Sequence, residues 1–307
     1  MAAFLSPAGI SAKPEFEAIC QKIADARAAK LEIECTIYLG QQHLLDTAQA
    51  AIAAGRLPGV MVAPIPRTAM SIEAELFKNQ PQILHFFCHG IVGAGVRLLE
   101  LATINDWDVG ASAASVKFSL ERLDNVLLST NANWITVLNS CSGAEAVDQL
   151  HSIALTLAKA ATPFAIGMAE PIDPNDATDF TRAFYAELFR VIGTAIGPIG
   201  DGQQVTLDLA STVLPARDVL HNKYKLDPPE AFGRWCLPVA YKREAPLKLV
   251  AAFALKRRVE VVAGALRSLP VDAPDEFRLA ILATLDKDPK VPQHLRPDRF
   301  GNPIGSA

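Results

Sequence analysis

Long apolar runs are missing from this chain. A bilayer-crossing helix needs about 18 or more apolar residues, and no such stretch is free of charge or proline; the longest run, 247–255 (LKLVAAFAL), is short and carries Lys248. The amino terminus, MAAFLSPAGISAKPEFEAIC, has no basic segment leading into an apolar one, so no secretory signal is read. An excess of one charge is missing too. The 29 Lys+Arg face 33 Asp+Glu for a net of −4, which gives no reason to expect nucleic acid or a membrane as partner. A paired cysteine framework is also absent: the five cysteines, at 20, 35, 88, 141 and 236, are odd in number and include no C-x-x-C. His43, His151, His221 and His294 show no ligand spacing with them, so no metal site is expected. These absences leave a soluble, cytoplasmic protein of a reducing compartment. With 50% hydrophobic and 20% charged residues, the chain is not a disordered one.

What is present is an alternation of strand-length apolar runs with helix-length segments, the pattern of an α/β domain with a mostly parallel sheet. The expected core strands are 33–39, 59–64, 82–88, 134–140, 163–168 and 236–242, about six, with a short strand near 98–103. Helices are expected over 14–30, 41–55, 69–79 (capped by Thr68 or Ser71), 119–128, 144–160 and 175–193. From about residue 243 the character changes. Residues 242–307 hold 12 Lys+Arg against 8 Asp+Glu, so 1–241 hold 17 against 25. Two helices (246–268 and 274–286) and a Pro-rich end are expected there, as a helical appendage or as a basic interaction module. The organisation expected is an N-terminal helical extension over 1–30, a central domain over 31–243 and a C-terminal extension over 244–307.

Two strands end in reactive residues. Strand 82–88 leads into His89-Gly90, and strand 134–140 into Cys141-Ser142-Gly143. The carboxyl ends of parallel strands share one edge, where sites form, so His89 and Cys141 are expected on the same rim. A thiol of pKa about 8.5 is only a few per cent thiolate at neutral pH. A neighbouring imidazole can take its proton and later return one to a leaving amine. A helix starting after Cys141 would favour the thiolate further. The N–H groups of Gly90 and Cys141 are candidates for an oxyanion hole. Cys88 points to the opposite face from its neighbour His89 and reads as core. His85, on the same face as His89, reads as a buried, hydrogen-bonded histidine. The glycines at 90, 93 and 95 fail the dinucleotide spacing. Trp107, in the irregular segment 90–133, either covers the site or packs.

A strand ending in His-Gly, with the cysteine about 50 residues on, is a caspase-like arrangement. The runs LHFFCHG, ITVLNSCSGAE, PFAIGMAEPID with FTRAFYAELF, and WCLPVAYK resemble the CHAT family of caspase-like peptidases, in order and spacing over roughly 31–243. The resemblance implies a caspase-like three-layer α/β sandwich, Cys141 as nucleophile, His89 as general base and no cofactor. It further implies a protein substrate, an activating sensor protein or domain, and an effector role in bacterial defence or cell death.

The chain departs from the family in places. Ser140 and Ser142-Gly143 flank the cysteine where the family commonly has Ala and acid-Thr-Gly, and Glu170 stands where it often has Trp. By the resemblance, Asn139, two residues before the cysteine, lines the pocket for the residue preceding the cleaved bond. Glu170, Asp173 and Asp176 follow the next strand. One of them makes that pocket acidic and selects Arg or Lys, or else they form a solvated loop and a helix start. A different class of reading is a catalytically silent module that uses the same rim for protein binding; retention of both His89 and Cys141 argues against it.

Overall fold

The computed structural model describes residues 1–93, 96–109, 115–140, 150–170, 172–197, 204–228, 233–250, 253–270, 272–286, 291 and 296–302. In chain order the elements begin β1 (Ala2–Leu5), α1 (Lys13–Ala28), β2 (Cys35–Leu39), α2 (Gln42–Ala53), β3 (Val60–Pro64) and α3 (Ala69–Asn79). They continue β4 (Ile83–Gly93), β5 (Val96–Leu101), α4 (Ile104–Val109), β6 (Val116–Ser119), α5 (Leu120–Thr130), β7 (Ile135–Ser140) and α6 (Leu150–Ala160). The remainder are β8 (Phe164–Met168), α7 (Pro174–Ile196), β9 (Gln204–Leu207), α8 (Leu214–Tyr224), β10 (Pro238–Lys242), β11 (Leu247–Val250), α9 (Phe253–Ser268) and α10 (Asp275–Ala283). Two compact units result: Met1–Thr194 with Leu207–Leu247, and Ala195–Thr206 with Lys248–Ala307.

A nine-stranded sheet organises the first unit, in the order β10-β8-β7-β4-β1-β2-β3, with β5 and β6 continuing from β4. The strands from β8 to β3 run parallel, and β10 is an antiparallel edge. Parallel sheets are covered on both faces, which is why β4 and β7 read as continuous apolar runs rather than alternating ones. On one face Leu84, Phe86, Cys88 and Leu138 pack with Ile72 and Leu76 of α3, Leu123 and Leu127 of α5, and Ile153 and Leu157 of α6. On the other, His85 and Asn139 meet Glu15 of α1 and Thr181 and Tyr185 of α7. Helices therefore lie on both sides of the sheet, as expected for a three-layer α/β sandwich.

Local chemistry fixes the helix ends. Thr68 caps α3 by accepting the Ser71 N–H, and Ser119 caps α5 by accepting the Arg122 N–H. Both helices close on a left-handed residue, Gln80 at φ 41° and Asn131 at φ 48°.

The N-terminal boundary needs correcting. Residues 1–30 are not an extension, because β1 lies between β2 and β4 in the middle of the sheet. Phe4, opposite both Tyr38 and Phe86, stacks on the first at 4.5 Å and on the second at 5.1 Å. Burying one such ring contributes about 1.5–3 kcal/mol, and each aromatic pair roughly 0.5–1.5 kcal/mol more. Four apolar residues are too few to show a period, so the strand is silent in the sequence. The strand β6 escapes for the same reason.

In the second unit, Val262 and Leu266 of α9 form a small core with Leu285 and Val291, joined by Val259, Leu269, Ile281 and Leu282. Buried Arg278 donates to the Pro270 carbonyl at 2.6 Å and lies over the Phe300 ring. The strands β9 and β11 form a separate two-stranded ribbon. Among the described residues, no helix is long and apolar enough to cross a membrane.

Candidate active site

The strand β4 changes partners along its length. Residues 83–88 pair in parallel with β7, ending at Cys88↔Ser140, and from His89 onward the strand pairs antiparallel with β5, starting at His89↔Glu100. His89 therefore sits where one ladder stops and the other begins. It is 8% exposed, on the α1 and α7 face of the sheet by the parity of the strand.

Its ring is held by the loop after β1. The His89 Nε2 lies 2.9 Å from the Ala8 carbonyl oxygen. A carbonyl only accepts, so Nε2 carries the proton, and in the neutral imidazole Nδ1 is then the acceptor. That Nδ1 is buried and has no hydrogen-bond partner among the described residues. The sequence singles out His89 but not what orients it. The loop is tied down on both sides: the Ser6 N–H donates to the Phe87 carbonyl at 2.8 Å, and the Ala12 N–H to Gln41 Oε1 at 2.7 Å. The Ser6 hydroxyl also donates to the Ala102 carbonyl. Gly40 closes the packing there, because a Cβ on it would collide with Ser6 Oγ and the Ala102 carbonyl oxygen.

Cys141 lies outside the described residues. Its strand is described up to Ser140, and the pair Cys88↔Ser140 immediately precedes His89 and Cys141 in the sequence. Gly90 is within β4, opposite Leu99. The register also sets Glu100, 8% exposed, across from His89. Opposed residues of antiparallel strands share a face with Cβ atoms about 5 Å apart, so a carboxylate shares the face of the imidazole. No sequence signal singled it out, since the partner of β4 could not be read from the chain.

Asn139 is a correction. Its side chain is fully buried, and Nδ2 lies 2.9 Å from Glu15 Oε1, 3.1 Å from the Ala177 carbonyl and 3.1 Å from Thr181 Oγ1. Its donors bind α1 and α7 rather than facing a pocket. Thr181 Oγ1 also donates to Glu15 Oε1, at 2.5 Å. His85 Nδ1 lies 2.9 Å from the Tyr185 hydroxyl, while its Nε2 is 3.1 Å from Glu15 Oε1 but out of line for a hydrogen bond. This polar cluster ties β4 and β7 to the helices above them. Burial, with Cys35 and Glu15 nearby, pushes the Tyr185 phenol well above its ordinary range.

The acidic residues after β8 divide. Asp173 accepts the Asn175 N–H at 2.8 Å at the start of α7, a helix-start role. Asp176 is a second correction. It is fully buried and accepts from Lys223 Nζ at 2.7 Å and from the Tyr224 hydroxyl at 2.7 Å. Burial pushes the Lys223 ammonium down, but its hydrogen bonds to Asp176 and Asp179 together outweigh that and hold it above the ordinary lysine range. The charge of Asp176 is thus committed to anchoring α8. Glu170 is exposed.

The three buried thiols, Cys20, Cys35 and Cys88, are unsuited to attack. Burial, then the Glu100 carboxylate, pushes the Cys88 thiol far up. Burial raises Cys20 to about 12 and Cys35 to about 11. Cys236 is exposed and donates to the Gly233 carbonyl at 2.8 Å. Among the described residues no three His, Cys, Asp or Glu side chains are grouped as a metal site would require.

No curated protein matches the chain. A family model described as CHAT domain matches residues 38–196, just over half of the 307. That match spans the strand bearing His89, the β7 strand and the α7 helix, and with the α/β sandwich it places the chain in the CHAT-domain family, which is related to the caspase-like cysteine peptidases.

Proposed function

We propose that the protein is a cysteine endopeptidase that cleaves a partner protein, with Cys141 as nucleophile and His89 as general base. One observation carries the reading most: His89 gives its Nε2 proton to the Ala8 carbonyl and keeps a buried Nδ1, without a partner among the described residues, at the level of β4 where β7 runs out, one residue short of Cys141. In the proposed mechanism, Nδ1 takes the thiol proton, and the imidazolium is steadied by the carbonyl at Nε2. The thiolate attacks the peptide carbonyl carbon, and the N–H groups of Gly90 and Cys141 receive the oxyanion. As the C–N bond breaks, the proton on Nδ1 goes to the leaving amine. A water then gives its proton to Nδ1, adds to the acyl-enzyme and releases the acid with the free thiol.

The family resemblance supports a cytoplasmic effector, in a bacterial defence or cell-death pathway, that a sensor protein or domain switches on. With Asp173 and Asp176 engaged in holding α7 and α8, Glu170 is the carboxylate left to select a basic residue before the cleaved bond. Neither nucleic acid nor a membrane has a part in this reading.

The test is labelling with a peptide electrophile, with and without candidate sensor proteins, in wild type, Cys141→Ala and His89→Ala. Labelling is expected in wild type, is lost in Cys141→Ala, and slows by about 10²–10⁴ in His89→Ala, the usual worth of a general base. Equal labelling of wild type and Cys141→Ala overturns the assignment. Silence of wild type with every sensor present favours the binding module instead.

A further inference from the structure

We infer that Trp107 is a positioning residue for His89, acting through the backbone of residues 7–10; the inference deepens the role given to His89 above. The Trp107 indole N–H lies 3.2 Å from the Pro7 carbonyl oxygen and 3.4 Å from that of Ile10. These two carbonyls flank Ala8 and Gly9, and the Ala8 carbonyl is the one that holds His89 Nε2. An indole N–H is a donor only, so its single proton is shared by both carbonyls and pins the loop on either side of the atom that orients the imidazole.

The loop needs such a pin. Gly9 stands at φ +71°, a left-handed turn that glycine adopts without strain. Between Ser6 and Ala12, the one backbone bond among the described residues is from the Ile10 N–H to the Pro7 carbonyl, at 3.3 Å. The indole itself is well anchored. Thr103 and Asp106 are tied together at the start of α4: the Thr103 N–H and hydroxyl donate to Asp106 Oδ2 at 3.0 and 2.6 Å, and the Asp106 N–H donates to the Thr103 carbonyl at 3.0 Å. The Ala102 N–H donates to the Ser6 carbonyl at 3.1 Å, fastening the strand before α4 to the residue before the loop. A rigid α4 thus holds the indole, the indole holds the loop, and the loop holds the ring. Lost aim at Ala8 lets the imidazole turn and moves Nδ1 off its line toward the end of β7.

Trp107→Phe separates the donor from the packing, because it keeps an aromatic ring and removes the proton. Two readouts are taken on the full chain. The first is solvent exchange of the His89 Nε2 proton by NMR, assigned with His89→Gln; it does not depend on any peptidase activity. The second is the pH profile of iodoacetamide reaction at Cys141. Exchange is expected to quicken roughly three- to tenfold, the factor one ordinary hydrogen bond is worth, and the Cys141 profile to move to higher pH. Unchanged exchange in folded Trp107→Phe overturns the inference and leaves the peptidase reading standing. Quickened exchange with a Cys141 that is inert in wild type, sensors included, supports the positioning role while the peptidase reading falls. If Trp107→Phe does not fold, Trp107→3-benzothienylalanine, with sulfur in place of the N–H, is read by the same two outcomes.

Discussion

Replacing Asn139 by Asp keeps the shape of the side chain and reverses what it offers to its neighbours. The amide now gives its two protons to three acceptors, Glu15 Oε1 at 2.9 Å, the Ala177 carbonyl at 3.1 Å and Thr181 Oγ1 at 3.1 Å, with no exposure to solvent. Asn139→Asp takes the amide donor from all three, leaves Glu15 Oε1 with the Thr181 hydroxyl, and sets a second carboxyl group against that of Glu15. Each buried acceptor left unmade costs about 1–3 kcal/mol, and a buried charge without a partner about 3–5 kcal/mol. A loss of about 4 kcal/mol at neutral pH is expected. For a unit of this size that lowers the thermal midpoint by roughly 10 °C.

The loss also carries a pH signature. Burial beside another carboxyl raises the folded-state pKa of the introduced group above its unfolded value near 4. The folded variant then binds the extra proton, so the group's contribution is fully present below about pH 4 and is lost as pH rises through the folded value. Urea denaturation of wild type, Asn139→Asp and Asn139→Ala at about pH 4.5, 6 and 7.5 checks this. The deficit of the Asp variant should grow with pH, while that of the Ala variant stays nearly level. A residue that faced substrate would behave otherwise, leaving stability within about 0.5 kcal/mol of wild type. That result, or a deficit flat in pH, would refute the burial argument.

Three further outcomes follow, two from the thiols and one from the loop packing. With Cys141→Ala as background, an aromatic disulfide reagent near pH 8 should titrate Cys236 alone in the native protein, with Cys20, Cys35 and Cys88 reacting only in denaturant; rapid native reaction of more than one thiol would contradict their burial. Because Cys35 is raised from 9.0 to about 11 and Cys20 to about 12, the folded protein retains thiol protons that the unfolded chain has lost. Their stabilisation is present below pH 9 and falls as pH rises toward 11–12, so the urea midpoint should drop over that window. Gly40→Ala should cost about 1–3 kcal/mol, as overpacking against fixed backbone does, and a thermal midpoint equal to wild type would show that Ser6 and Ala102 yield.

The strands that can be read from the sequence are those long enough to carry a pattern. Residues 82–88 and 134–140 announce buried parallel strands because both of their faces are apolar, and His89 follows from its place after one of them. The extension of β4 to Gly93 was not legible, since its second half depends on pairing with β5, whose residues lie three to eleven positions further on. Asn139 was misread because local sequence does not tell which helix will lie over a strand; the partners that bury it are at positions 15, 177 and 181. Asp176 was misread for a related reason: an acidic residue in the first turn of a helix suits the helix dipole wherever it faces, and Lys223 is distant in the chain. The orientation of His89 needed a backbone oxygen at Ala8, and a main-chain acceptor leaves no trace in the identity of the residue that bears it.

The central place of β1 also sets an order of events in synthesis. It leaves the ribosome ahead of both strands it pairs with, residues 36–39 and 84–87. Until the second of these emerges, one edge of β1 is an unpaired ladder and Phe4 lacks one of its two stacking rings. Bringing residues so far apart in sequence together costs chain entropy before any contact rewards it. β1 therefore waits for β4 before both its edges are paired, and the loop that presents Ala8 to His89 is shaped only when that second pairing forms. A nascent chain stays without an oriented imidazole until four of the nine strands of its sheet have emerged.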